Sequence, residues 1–210
     1  MKTKIAMAVA AASLVSFNAA AEKNSYWLLG GSSQSGEYSS GAGTLTLGYD
    51  FNETLALETT ISFGGDDHHS ETEVDNPTIA PPIAGWKPTA HTTYGAISRD
   101  IYTLTPVIKH ELIDNLTVFG KAGLAYVQNE VRVTKTSRNM ALNINKSDTL
   151  LHEKNDSYGY TYGVGVQYAI EAQNADLLFR IAYDVIDGGK LLGHSLKDTH
   201  AATFQFGVKF

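Results

Sequence analysis

Hydrophobic and polar residues alternate with a period of two along most of this chain, the pattern of strands that present one greasy face. The clearest case is 199–210, where Ala202, Phe204, Phe206, Val208 and Phe210 oppose Ala201, Thr203, Gln205, Gly207 and Lys209. The same rule predicts strands at 175–185, 158–168, 116–126, 102–112, 55–63 and 43–49. A first strand near 26–31 is apolar on both parities, so its register stays unassigned. Pro106 sits inside one predicted strand, and because proline lacks the amide donor a bulge is expected there.

The connections alternate between short and long. Short ones fall at 50–54, 113–115 and 170–174, and longer ones at 32–42, 64–94, 127–157 and 186–196. Short turns at one end and long loops at the other are what an antiparallel barrel crossing an outer membrane shows. If the first strand runs outward, Tyr49, Tyr168 and Phe210 fall at the inner ends of greasy faces, and Phe63, Tyr126 and Tyr183 at the outer ends. Amphipathic rings settle at both membrane interfaces, whereas a soluble sandwich has no reason to place them at both rims of one face. The expected fold is therefore all-β: an eight-stranded antiparallel up-and-down transmembrane β-barrel with four extracellular loops and short periplasmic turns. Ten strands remain open, with Leu142, Ile144, Leu150 and Leu151 marking a hairpin hidden in the third loop.

The amino terminus changes the compartment. Lys2 and Lys4 precede an uncharged run over 5–15 and the small tract Ala19, Ala20, Ala21, which reads as a secretory signal peptide over 1–21 and leaves 22–210 as the barrel. Removing those two lysines takes the formal charge from -6 to -8, with 14 Lys and Arg against 22 Asp and Glu, so nucleic acid is not an expected partner. The chain has no cysteine, which excludes disulfides and thiolate metal sites.

The terminal run Phe204-Gln205-Phe206-Gly207-Val208-Lys209-Phe210 resembles the assembly signature of outer-membrane barrels. The segments 119–126 (FGKAGLAY) and 162–168 (YGVGVQY) look like strands of the OmpA-like and opacity-type eight-stranded surface proteins. That resemblance implies a bacterial outer-membrane location among lipid and lipopolysaccharide, recognition by the barrel-assembly machinery, and an extracellular ligand of unidentified kind. It implies no cofactor and no enzyme activity. No periplasmic domain follows Phe210, so the anchoring role of two-domain relatives is not expected.

Candidate chemistry follows from parity. Glu58, Lys109, Glu111, Lys121, Arg180 and Asp184 fall on inward positions, where charges must pair or be hydrated. A packing network is the ordinary reading and a gate the sharper one. The resemblance adds that OmpA-like barrels carry a lumenal acid and base cluster, for which Glu58 with Arg180 or Lys121 would be the counterpart. Asp66, Asp67, His68, His69, Glu71, Glu73 and Asp75 crowd the second loop, as a solvated acidic loop or a divalent-cation site would. His194, Ser195, Asp198 and His200 invite comparison with lipid A deacylases, but adjacent His194 and Ser195 would face opposite ways on a strand. Arg132, Lys135, Arg138, Lys146 and Lys154 in the third loop suit lipopolysaccharide phosphates, although Val127, Asn129, Val131 and Val133 suggest that the fifth strand simply continues. The function expected from all this is a surface-exposed structural or adhesion-type interaction protein, with a narrow pore and a lipid A-modifying enzyme as alternatives.

Overall fold

The computed structural model describes residues 24–36, 39–74, 89–139, 144–173 and 175–210; the expected signal peptide lies outside them. Ten strands follow in order: β1 (Ser25–Ser35), β2 (Ser40–Asp50), β3 (Leu55–Val74), β4 (Thr89–Ile113), β5 (Leu116–Asn139), β6 (Ile144–Ile170), β7 (Asp176–Ile186), β8 (Lys190–Leu191), β9 (His194–Ser195) and β10 (Thr199–Lys209). Eight of them close a barrel in the order β1-β10-β7-β6-β5-β4-β3-β2, each next to its chain neighbour, and the two-residue β8 and β9 pair only with each other. The ten-strand alternative is thereby corrected: Ile144, Leu150 and Leu151 belong to β6 itself, paired with β5, and Leu142 lies outside the described residues.

Closure fixes the geometry. Walking across paired residues leads from Gln34 through Ala201, Asp184, Gly163, Lys121, Val107, Ala56 and Asp50 to Asn24, which accepts the Asp50 amide. The path returns to β1 ten residues from where it began, the difference between Gln34 and Asn24. With standard strand spacings, eight strands staggered by that amount tilt about 40° and stand roughly 16 Å apart across the axis. Such an interior holds side chains and little else.

The pairing also settles β1. Tyr26 and Leu28 point inward and are buried, while Trp27 and Leu29 share the outward parity. Pro106 makes no bulge, which corrects that expectation: the β4–β5 register is the same at Leu104↔Leu124 and Val107↔Lys121, with two pairings simply missing between them. Pro106 cannot donate toward β5, and the neighbouring ladder holds the register. Register shifts lie elsewhere: between Glu111 and Ile113, between Val133 and Thr134, and between Ser62 and Gly65, where Gly64 adopts φ +83, a left-handed conformation that glycine tolerates best.

The largest departure from the expected layout concerns the second and third loops. The segments 64–74, 89–94 and 144–157 are strand, not loop, while β5 continues through 127–139 as the alternation of Val127, Asn129, Val131 and Val133 suggested. β4 pairs with β5 as far as Thr89↔Asn139, and β5 with β6 as far as Asn139↔Ile144. From the Tyr126 level to Asn139 this is roughly 40 Å of further strand. β2 leaves β3 at Gly43↔Phe63, and β7 leaves β6 at Thr161↔Ile186. What projects beyond the barrel is thus a four-stranded sheet, β3-β4-β5-β6, continuous with the wall. Its edges, β3 beyond Gly64 and β6 before Asp156, pair with no other strand among the described residues.

Candidate functional site

Inward parity brings the lumenal charges together in three pairs. Glu58 on β3 and Arg180 on β7 are fully buried and meet at 2.6 Å. The Tyr26 hydroxyl donates to the same Glu58 Oε1 at 2.5 Å, and Arg180 Nε and Nη2 donate to Gln167 Oε1 at 3.1 and 2.6 Å. The guanidinium lies over the Phe119 ring, 4.6 Å from its centroid. Lys121 pairs with Asp184 at 3.1 Å. Lys109 pairs with Asp50, whose second oxygen accepts from Lys209 at 2.7 Å. Each charge of these three pairs therefore has an opposite neighbour, the condition under which ionised groups survive in a dry interior.

Glu111 does not belong to this network, which corrects the expected set. It is exposed beside the tight β4–β5 turn, where its Oε1 accepts the Asn115 amide at 3.1 Å and Asn115 takes φ +68. Inward parity holds, but one step from the turn the strand has left the lumen. Tyr26, Asp50, Gln167, Gln205 and Phe119 complete the interior without having been singled out from the sequence. Asp50 was readable as the partner that two inward lysines, Lys109 and Lys209, require. Tyr26 was not, because β1 is apolar on both faces.

Above the charges the lumen closes again. Gln205 Nε2 donates to Thr44 and Thr46. A cavity of about 20 Å³ follows, with room for about one water. Ile101, Ala125, Val127, Ile186 and Ala201 form an apolar plug over it. Arg99 caps that plug, donating through Nε to Asn129 Oδ1 at 2.9 Å and through Nη1 to Thr199 Oγ1. Asn129 Nδ2 reaches the carbonyls of Gly188 and Lys190 at 3.3 Å, pinning the β7–β10 loop across the mouth. Gly189 there has φ +72, and a Cβ at that position would lie 2.2 Å from Ser157 Oγ.

On the outer surface Phe204, Phe206 and Phe210 are exposed and Val208 partly so, in one row down β10. Phe63, Tyr168 and Tyr183 are well exposed at their rims and Tyr49 partly so, its ring edge-on to Phe51. Tyr126 departs from the exposed girdle position expected of it. It keeps outward parity but is buried, wedged between Tyr102 and Tyr158 at centroid separations of 5.9 and 4.9 Å, with Gln128 Nε2 donating to its hydroxyl. Those three tyrosines pair across β4, β5 and β6 and form one band.

In the projecting sheet, Glu130 gathers three nitrogen partners: Lys154 Nζ at 2.7 Å, His152 Nε2 at 3.0 Å and Arg132 Nη2 at 3.2 Å. Lys154 holds the Glu130 carboxyl below its ordinary range, and Glu130 in turn raises the Lys154 ammonium. Lys146 pairs with Asp148, while the side chain of Arg138 is outside the described ones. The acidic segment 66–73 is stretched along β3 rather than looped, with His69 and Glu71 exposed; Asp75 lies outside the described residues. Among the described residues no three metal-ligating side chains gather at one point. His194 and Ser195 are exposed in the β8–β9 hairpin, and His200 Nδ1 meets the Tyr183 hydroxyl at 2.9 Å instead of a serine.

Three solved structures are similar to this chain at low identity. The Ail protein of Yersinia pestis has 12% identity, a TM-score of 0.45 and coverage of 90% of this chain and 98% of its own. The N-terminal β-barrel domain of Pseudomonas aeruginosa OprF has 12% identity, a TM-score of 0.46 and coverage of 89% and 98%. Neisserial surface protein A has 15% identity, a TM-score of 0.40 and coverage of 90% and 98%. No curated protein matches. The family model described as outer membrane protein beta-barrel domain matches residues 7–210, so the chain belongs to that family and its place is the bacterial outer membrane.

Proposed function

We propose that this protein is a surface-exposed, non-enzymatic interaction protein of adhesion type, exported through a cleaved 1–21 signal and assembled from its Phe204 to Phe210 row. One observation carries the reading: four wall strands run on past the outer tyrosine band as a sheet whose two edges have no strand partner among the described residues. A strand edge exposes a row of backbone donors and acceptors, which an extended segment of another protein can complete. The working end of the molecule is then the sheet, and the barrel is its mount.

The lumen favours this over a narrow pore. Paired charges, an apolar plug and a pinned loop succeed one another along the axis, and the cavity between the charges and the plug holds about 20 Å³. For lipid A chemistry an activated nucleophile is needed, and His200 faces a tyrosine.

Removing 130–152 and rejoining β5 to β6 should leave the barrel folded, judged by its heat-modifiable mobility. Cells carrying the shortened form should lose most adherence to immobilised host-surface protein relative to cells carrying the full chain. Equal adherence would place the binding surface elsewhere. Swelling of liposomes holding the full protein in small sugars would restore the pore.

A further inference from the structure

The membrane-facing wall is not uniformly convex. On β4, β5 and β6 it carries an apolar groove of about 880 Å³, floored by Pro106, Gly120 and Ala122 and flanked by Ile108, Val118 and Val164. A Cβ added at Gly120 would meet nothing within 4 Å, so the floor is open. The pairs His110↔Val118 and Val118↔Val166 mark the groove's lower end, one outward row above Leu116↔Tyr168 at the periplasmic rim. Ala122↔Tyr162 marks its upper end, still two outward rows below Tyr126↔Tyr158. The groove therefore lies nearer the periplasmic rim of the wall than the outer one.

At its lower end stands His110, exposed on the outward row that otherwise holds Leu104, Pro106, Ile108 and Leu112. An imidazole facing hydrocarbon needs a hydrogen-bonding partner at headgroup depth. We propose that the groove is a binding site for one glycerophospholipid of the periplasmic leaflet, an acyl chain lying over Gly120 and Ala122 and the phosphate against His110. The volume falls within the roughly 300–1,000 Å³ of small-molecule sites. A second barrel fills such a groove poorly, because two convex walls touch along a line and leave the concavity empty. Lipopolysaccharide is excluded by depth, since its chains enter from the opposite leaflet.

Native mass spectrometry of the detergent-purified full chain with added dioleoyl phosphatidylglycerol tests this. Wild type should retain one lipid. Gly120→Phe, whose Cβ meets nothing within 4 Å and whose ring faces the groove, should retain at least tenfold less at the same lipid concentration. His110→Leu, apolar on a lipid-facing row and therefore safe for folding, should weaken retention several-fold. Equal retention by wild type and both variants, or none by any, overturns the proposal. So does a disulfide-linked dimer through Ala122→Cys in a chain otherwise free of cysteine, which would show a second copy in the groove.

Discussion

Strands β5 and β6 pair with each other through two environments, with one register shift between Val133 and Thr134, and ion pairs mean different things in each. Inside the barrel, Glu58 and Arg180 are both fully buried, with Tyr26, Gln167 and the Phe119 ring against them. In the projecting sheet, Glu130 meets Lys154, His152 and Arg132, whose side chains are about half exposed. Burial, and not the number of partners, decides what a pair contributes. A lone buried charge costs several kcal/mol, while an exposed one is taken up by water.

The strongest way to break that contrast is Arg180→Leu. It strands Glu58 in the lumen and should cost about 3–5 kcal/mol of stability, read from urea unfolding in phospholipid vesicles. Glu58→Leu with Arg180→Leu should recover most of the loss, because no unpaired charge remains. An Arg180→Leu variant no less stable than Glu130→Gln would refute the distinction between the two regions.

A smaller effect is expected where the two regions join. Asn129 is fully buried and serves Arg99 on one side and the β7–β10 loop on the other. Asn129→Leu removes one acceptor and one donor at once and should cost about 2 kcal/mol. Its specific signature is faster proteolytic nicking of 187–198, and unchanged nicking would mean that the loop is held by other contacts. Smaller again is Gly64→Val at the bulge, where φ +83 should cost a β-branched residue roughly 1–2 kcal/mol in the same unfolding measurement.

The wall was legible in the sequence because lipid on one side and a filled lumen on the other force a strict two-residue period. The period placed Glu58, Lys109, Lys121, Arg180 and Asp184 inside, and it failed for Glu111 only because the strand ends there. It carried less above the membrane. Once both faces of a strand meet water, polar residues such as those of 144–156 fit either a loop or a strand, so the sheet read as loop. Partner choice was not legible from alternation: the resemblance offered Arg180 or Lys121 for Glu58, and that Glu58 takes Arg180 while Lys121 takes Asp184 depends on the stagger between strands, which parity does not fix. Tyr126 shows the same limit, since its burial comes from Tyr102 and Tyr158 on neighbouring strands.

The smallest predicted effect is the most direct measure of how loosely the sheet is tied. Glu130 has its carboxyl held below the ordinary 4.5, first by the Lys154 hydrogen bond and then by His152. A lowered carboxyl contributes stability that is fully present above the unfolded value and is lost as pH falls through the folded one. Below about pH 4.5 the sheet should therefore begin to loosen, and the Lys154 contact goes with the Glu130 charge. For a pair this exposed the loss should be about 0.2–1 kcal/mol, too small to open the barrel. Amide exchange across β5 and β6 resolves it: protection at 128–134 and 149–156 should fall between neutral pH and pH 3.5 after correction for intrinsic rates, while 117–125 stays unchanged. Glu130→Gln should remove that pH dependence. Equal loss of protection in both stretches would show that sheet and wall open as one unit.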